Sequence, residues 1–143
     1  MAARGAERLP PGEWFPAGQP LVTWRRVPLQ DGVSLRVLEA GPPDGAPVLL
    51  VHGWAITAYL WRHNIARLAE AGFRVYAPDL PGHGLSDAPS ARGCYTLAGM
   101  TRWLAMLLDA LSIRRAPIVA QSMGARIAVE LALQHHGKVT LLH

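Results

Sequence analysis

Lysine and cysteine are nearly absent from this sequence, and none of its apolar runs is long. A single lysine, Lys138, stands against 13 arginines, and Cys94 is the lone cysteine. One cysteine cannot form an internal disulfide, so nothing points to an oxidising compartment. In its Gly-containing loop Cys94 reads as a small structural residue rather than a catalytic thiol. The longest apolar run, around VLLV (48–51), falls far short of the roughly 20 residues a membrane-crossing helix needs. The first twenty residues, MAARGAERLPPGEWFPAGQP, lack the apolar segment of a secretory signal. They read as a poorly ordered leader, with the cytoplasm as the default location. The net charge is +4, but the arginines are scattered, with only Arg25–Arg26 and Arg114–Arg115 adjacent. Without a basic helix face or an aromatic-interleaved basic patch, the composition argues against nucleic-acid binding.

What is present is the material of a folded domain. Half of the 143 residues are hydrophobic and 17% are charged, enough for one compact unit with a real core. LVTWRRVPL (21–29) and VSLRVLEAG (33–41) are β-rich runs separated by QDG, a hairpin signal. APVLLVHG, FRVYAPDL and PIVAQ are short continuous apolar runs of the kind buried on both faces of a parallel sheet. Helical spacing is expected from about Thr57 to Ala71, from Thr96 to Ile113, and over MGARIAVELALQHH, with Gly72 and Gly137 as stops. KVTLL begins a fourth such strand. The alternation predicts an α/β domain over 21–143, a mostly parallel sheet with flanking helices.

Three unusual segments fall at the carboxyl ends of predicted strands, where ligands bind in open α/β sheets: HGW, PDLPGHGLSD and QSMG. Ser122 lies between a buried strand and a helix, with the small residues Ala120 and Gly124 two positions to either side. That is the pattern of a nucleophile elbow, whose strained turn tolerates only very small neighbours. The usual elbow has glycine where Ala120 stands. At a helix N-terminus the Met123 N–H could stabilise developing negative charge. Ser122 could instead simply cap the helix. Gly53 would turn the chain after His52 so that the Trp54 N–H points at the same space. His52 reads as a structural imidazole bonded to nearby backbone in preference to a catalytic one. Neither His52 nor His83 is grouped with acids or cysteine in the manner of metal ligands, and no cofactor is implied.

VHGW, RVYAPDLPGHGLSD and AQSMG, in this order and near these separations, resemble the N-terminal half of an α/β-hydrolase, over about residues 21 to 143. The resemblance implies Ser122 as nucleophile and the Trp54 and Met123 backbone N–H groups as oxyanion donors. Asp79, His83 and Asp87 would be structural, ordering the loop beside the site. The Ala-x-Ser-x-Gly elbow is similar to that of some bacterial lipases. An ester-like small molecule would be the substrate, attacked through an acyl-enzyme. Acyl transfer, perhydrolysis and C–C hydrolysis reuse the same serine. Epoxide hydrolase and haloalkane dehalogenase chemistries are disfavoured, because those members use a carboxylate where Ser122 stands.

Such a serine needs a histidine base and an orienting acid, following it in the chain as acid then histidine. After Ser122 come only Glu130, His135, His136 and His143. Glu130 is about 12 Å along the helix, and His135 and His136 lie about 20 Å along it. His143 lacks an orienting carboxylate, and His83 as base would depart from the family. The expectation is an incomplete hydrolase fold without its acid and base, and a chain by itself inactive. The alternative is a non-catalytic fragment that binds, or self-associates, through an unpaired sheet edge. Trp54, Ile56, Tyr59 and Met123 would be either core or an apolar acyl pocket, with core preferred.

Overall fold

The structure, a computed structural model, describes residues 22–143. The expected leader, residues 1–20, lies outside them. Six strands form one sheet: β1 (Thr23–Pro28), β2 (Ser34–Ala40), β3 (Ala46–Val51), β4 (Phe73–Pro78), β5 (Ala116–Ala120) and β6 (Val139–Leu142). Their spatial order is β1-β2-β4-β3-β5-β6. β2 pairs antiparallel with β1 and with β4, and the remaining pairs are parallel.

The expected hairpin forms at QDG, where Leu29 N–H donates to Val33 O and Gly32 takes a positive φ of 76°. The helices are α1 (Arg62–Glu70), α2 (Leu97–Ala110) and α3 (Met123–Gln134). Each is shorter than its apolar periodicity suggests. The segment from Thr57 divides into a 3-10 turn, Ala58–Trp61, and then α1. The cause lies in a neighbouring loop, where buried Asp79 accepts from the Ala58 N–H and holds the entry to the helix. Thr96 caps α2 by accepting from Gly99 N–H. Gly72 and Gly137 follow α1 and α3 with positive φ, as stop signals should.

Alternation along β3 divides the core. Val48 and Leu50 pack toward α1 with Ile65, Ala69 and Trp61, while Leu49 and Val51 pack toward α2 and α3 with Leu104, Leu108 and Ile127. Burying each such leucine contributes about 2 kcal/mol. A sheet covered on both faces holds the carboxyl ends of β3, β4 and β5 side by side, and the three unusual loops start there.

Candidate active site

Ser122 ends the short link from β5 to α3 with φ 52° and ψ −119°, a conformation that L-residues rarely adopt. Its side chain makes no capping hydrogen bond to α3, although its carbonyl accepts from Ala125 and Arg126 N–H. The capping role is therefore not the one this serine plays. Ser122 is exposed and borders a cavity. Gly124 shows why the second neighbour must be small: a Cβ there would lie 2.4 Å from His52 O and 2.6 Å from Val51 O. α3 thus begins flush against the end of β3.

Gly53 is required for space, not for turning. A Cβ on it would meet Gln121 Oε1 at 2.2 Å and Ser122 Cβ at 3.0 Å. The residue that turns this loop with a left-handed conformation is Ala55, φ 57°, which the sequence reading assigned to Gly53. The HGW loop therefore touches the elbow directly. Among the described residues neither Trp54 N–H nor Met123 N–H has a hydrogen-bond acceptor.

His52 is fully buried and both ring nitrogens are engaged by backbone. Nδ1 donates to Gly53 O at 2.8 Å, and Nε2 accepts from Leu80 N–H at 2.9 Å. That pairing specifies a neutral imidazole. Burial, above all, pushes its pKa below the ordinary histidine value, the bond to Gly53 O working against the shift. The imidazole is a strut between two loops, as expected, and is not available to Ser122.

The PDLPGHGLSD loop is held by its acids. Asp79, fully buried, accepts from Arg36 Nε at 2.7 Å, Ala58 N–H at 2.8 Å and Leu85 N–H at 2.9 Å. Gly84 fits because a Cβ would strike the Asp79 carboxylate at 2.1 Å. Asp87 accepts from Ser34 N–H at 2.7 Å and pairs with Arg26. His83 bonds Pro81 O, and its ring meets both the His52 ring (centroids 5.1 Å) and the Trp54 ring (5.7 Å) edge-on. Nothing in the sequence paired Arg36 with Asp79, because the two meet only when β2 lies beside β4.

A cavity of about 410 Å³ opens beside Ser122, lined further by Tyr95, Leu97, Met100, Met123, Arg126 and Ile127. Met123 both lines it and packs against the core, where core alone was preferred, and Trp54, Ile56 and Tyr59 do not line it. Nor are Trp54 and Tyr59 core, being 68% and 37% exposed. The apolar wall comes instead from the starts of α2 and α3, whose spacing signals helix faces but not what they meet.

Among the described residues no hydrogen bond joins the Ser122 hydroxyl to a histidine or a carboxylate. Glu130 instead accepts from Gln134 Nε2 one turn further along α3. His143 extends β6, its N–H donating to Ile118 O and its carbonyl accepting from Ala120 N–H. Nor do three His, Cys, Asp or Glu side chains gather as metal ligands among the described residues. No helix there is long and apolar enough to cross a membrane.

The sequence model of the family described as alpha/beta hydrolase fold matches residues 46–142. This chain is an α/β-hydrolase. Epoxide hydrolase A of Mycobacterium tuberculosis is 42% identical over 109 residues, 76% of this chain and 34% of the relative. A haloalkane dehalogenase of Psychrobacter cryohalolentis is 41% identical over 104 residues, 71% of this chain and 34% of its own length. The solved structure of epoxide hydrolase A from Mycobacterium thermoresistibile is 36% identical with a TM-score of 0.79, over 85% of this chain and 38% of that one. Cfl2 from Burkholderia cenocepacia gives 35% and 0.78, over 85% and 40%. This α/β-hydrolase chain thus spans about a third of the length of the curated relatives it matches.

Proposed function

We propose that the protein acts as a serine hydrolase on an ester-like carbonyl, with Ser122 as the nucleophile. The observation that carries this reading is the conformation of Ser122: a strained serine bordering a cavity, its hydroxyl free of helix capping. The oxyanion of the tetrahedral intermediate would rest on the Met123 and Trp54 N–H groups, each donor worth roughly 3–4 kcal/mol in the transition state. The acyl-enzyme would then be resolved by water, or by another acceptor in an acyltransferase, perhydrolase or C–C hydrolase variant. The single cysteine, buried and unpaired, accords with a cytoplasmic setting.

Chemistry separates this reading from the activities that name the epoxide hydrolase and dehalogenase relatives. A carboxylate that opens an epoxide or displaces a halide forms an ester, whose carbonyl water then attacks. A serine alkoxide doing the same would form an ether and stop. Against a carbonyl carbon the same alkoxide forms an ester, and the cycle closes.

The test is adduct formation read by intact and peptide mass spectrometry. The chain is incubated separately with p-nitrophenyl butyrate, styrene oxide and 1-bromobutane. With imidazole added as an external base we expect a butyryl group on Ser122 and no alkyl group from the other two reagents. Alkylation of Ser122 by the epoxide or the bromide, without acylation, would overturn the assignment.

A second reading, binding through the sheet edge, is favoured by β6, whose Leu141 is 65% exposed with no strand beyond it among the described residues. In that reading two copies associate along β6.

A further inference from the structure

We infer that Arg126 gives the cavity beside Ser122 a specificity for substrates carrying a carboxylate, an ester of a dicarboxylic half-acid being the simplest. The inference rests on the reading of Ser122 as nucleophile and adds the class of substrate.

The cavity is lined by the apolar residues Leu97, Met100, Met123 and Ile127 together with three residues that carry polar groups, Ser122, Tyr95 and Arg126. Arg126 stands in the first turn of α3, four residues after Ser122, its N–H donating to Ser122 O. Arg25 and Arg74 share Glu39, Arg26 meets Asp87, Arg36 meets Asp79 and Arg102 meets Asp31, whereas Arg62, Arg67, Arg92, Arg114 and Arg115 make no ion pair among the described residues; of the arginines without one, Arg126 lines the cavity. Arg126 has no ion pair or hydrogen bond from its side chain among the described residues. The acid best placed to neutralise it, Glu130 one turn further on, accepts from the Gln134 side-chain amide instead. Arg126 thus borders the cavity with the donors of its guanidinium unspent among the described residues.

Tyr95 supplies the second donor. Its ring is packed over Gly82, where a Cβ would come within 2.7 Å of a ring carbon, and its hydroxyl has no partner among the described residues. A planar carboxylate matches the guanidinium fork bidentately and can also accept from a phenol. An apolar wall between nucleophile and cation favours a short methylene chain linking the reacting carbonyl to the anionic end.

The experiment measures equilibrium binding of two isosteric probes to the full chain: monomethyl glutarate, and its counterpart with the free acid replaced by a primary amide. The carboxylate probe is expected to bind about tenfold tighter, a modest figure because Arg126 is exposed and the contact is screened by salt. The preference should disappear in Arg126→Gln, survive in part in Arg126→Lys, and weaken as salt is raised. Equal binding of the two probes to the native chain, or an unchanged preference in Arg126→Gln, would overturn the inference. Ser122→Ala keeps the two readings apart. Acylation of Ser122 without a carboxylate preference leaves the nucleophile and removes the anion site, whereas an Arg126-dependent preference that also persists in Ser122→Ala, beside a native chain never acylated at Ser122, does the reverse.

Discussion

Single residues at this site trade local stability for geometry. A serine at φ 52° and ψ −119° carries backbone strain of about 1–3 kcal/mol, and glycine adopts that conformation freely. Ser122→Gly should therefore stabilise the fold by up to about 1 kcal/mol, after the entropy glycine adds to the unfolded chain is discounted. Urea denaturation checks this, and a lower midpoint would show the turn to be unstrained. His52 makes a second prediction. Its folded pKa is depressed below 6.5, so as pH falls the unfolded state takes up a proton before the folded state does. Stability is fully present above 6.5 and is lost as pH falls through the folded value. The melting temperature of the native chain should drop on going from about pH 7.5 to about pH 5.5, and less so in His52→Gln. An equal drop in both proteins would assign the loss to other groups. At this scale the sequence was readable where a feature is local: the strained turn at Ser122, the small residue at Gly124 and the buried, backbone-bonded imidazole of His52 were all legible. Ala55 was not, because alanine advertises no left-handed preference, and the place of Arg126 beside a cavity was not, because only the packed helices create that cavity.

Elements place those residues, and two of them carry their own tests. Asp79 joins β2 through Arg36, the entry to α1 through Ala58, and its own loop through Leu85. Replacing it by asparagine leaves the buried Arg36 guanidinium facing a neutral amide, and breaking a buried pair in this way costs about 3–5 kcal/mol. Thermal unfolding of Asp79→Asn should show a loss of that order; a loss no greater than that of Asp87→Asn, whose ion pair is exposed, would deny the buried pair its role. The sheet edges differ sharply. β1 carries Arg25, Arg26 and Pro28, the kind of residues that blunt an edge, whereas VTLL of β6 carries none. The outer stripe of α3 near it exposes Val129 and Leu133. Leu141→Lys should shift sedimentation of the chain toward monomer, and an unchanged distribution would remove β6 from self-association. Strands, helices and their order were legible because burial on both faces writes continuous apolar runs. The 3-10 turn was not, since its cause, Asp79, lies two elements away in sequence.

The whole molecule belongs to the α/β-hydrolases, and its sheet brings HGW, PDLPGHGLSD and QSMG to one edge as their positions after apolar runs implied. The resemblance read from those three segments was sound at the level of family and fold. Chemistry is finer than fold, and the relatives' names span epoxide hydrolysis and dehalogenation. The account therefore turns on one serine whose hydroxyl is hydrogen-bonded to no base among the described residues. Its most direct test is labelling by an alkyl fluorophosphonate, with the modified residue mapped by peptide mass spectrometry and the rate followed as imidazole is added as an external base. The account predicts slow labelling confined to Ser122, accelerated by imidazole and lost in Ser122→Ala. Labelling spread over other hydroxyls, or a Ser122 that stays unmodified in folded protein at high imidazole, would contradict it.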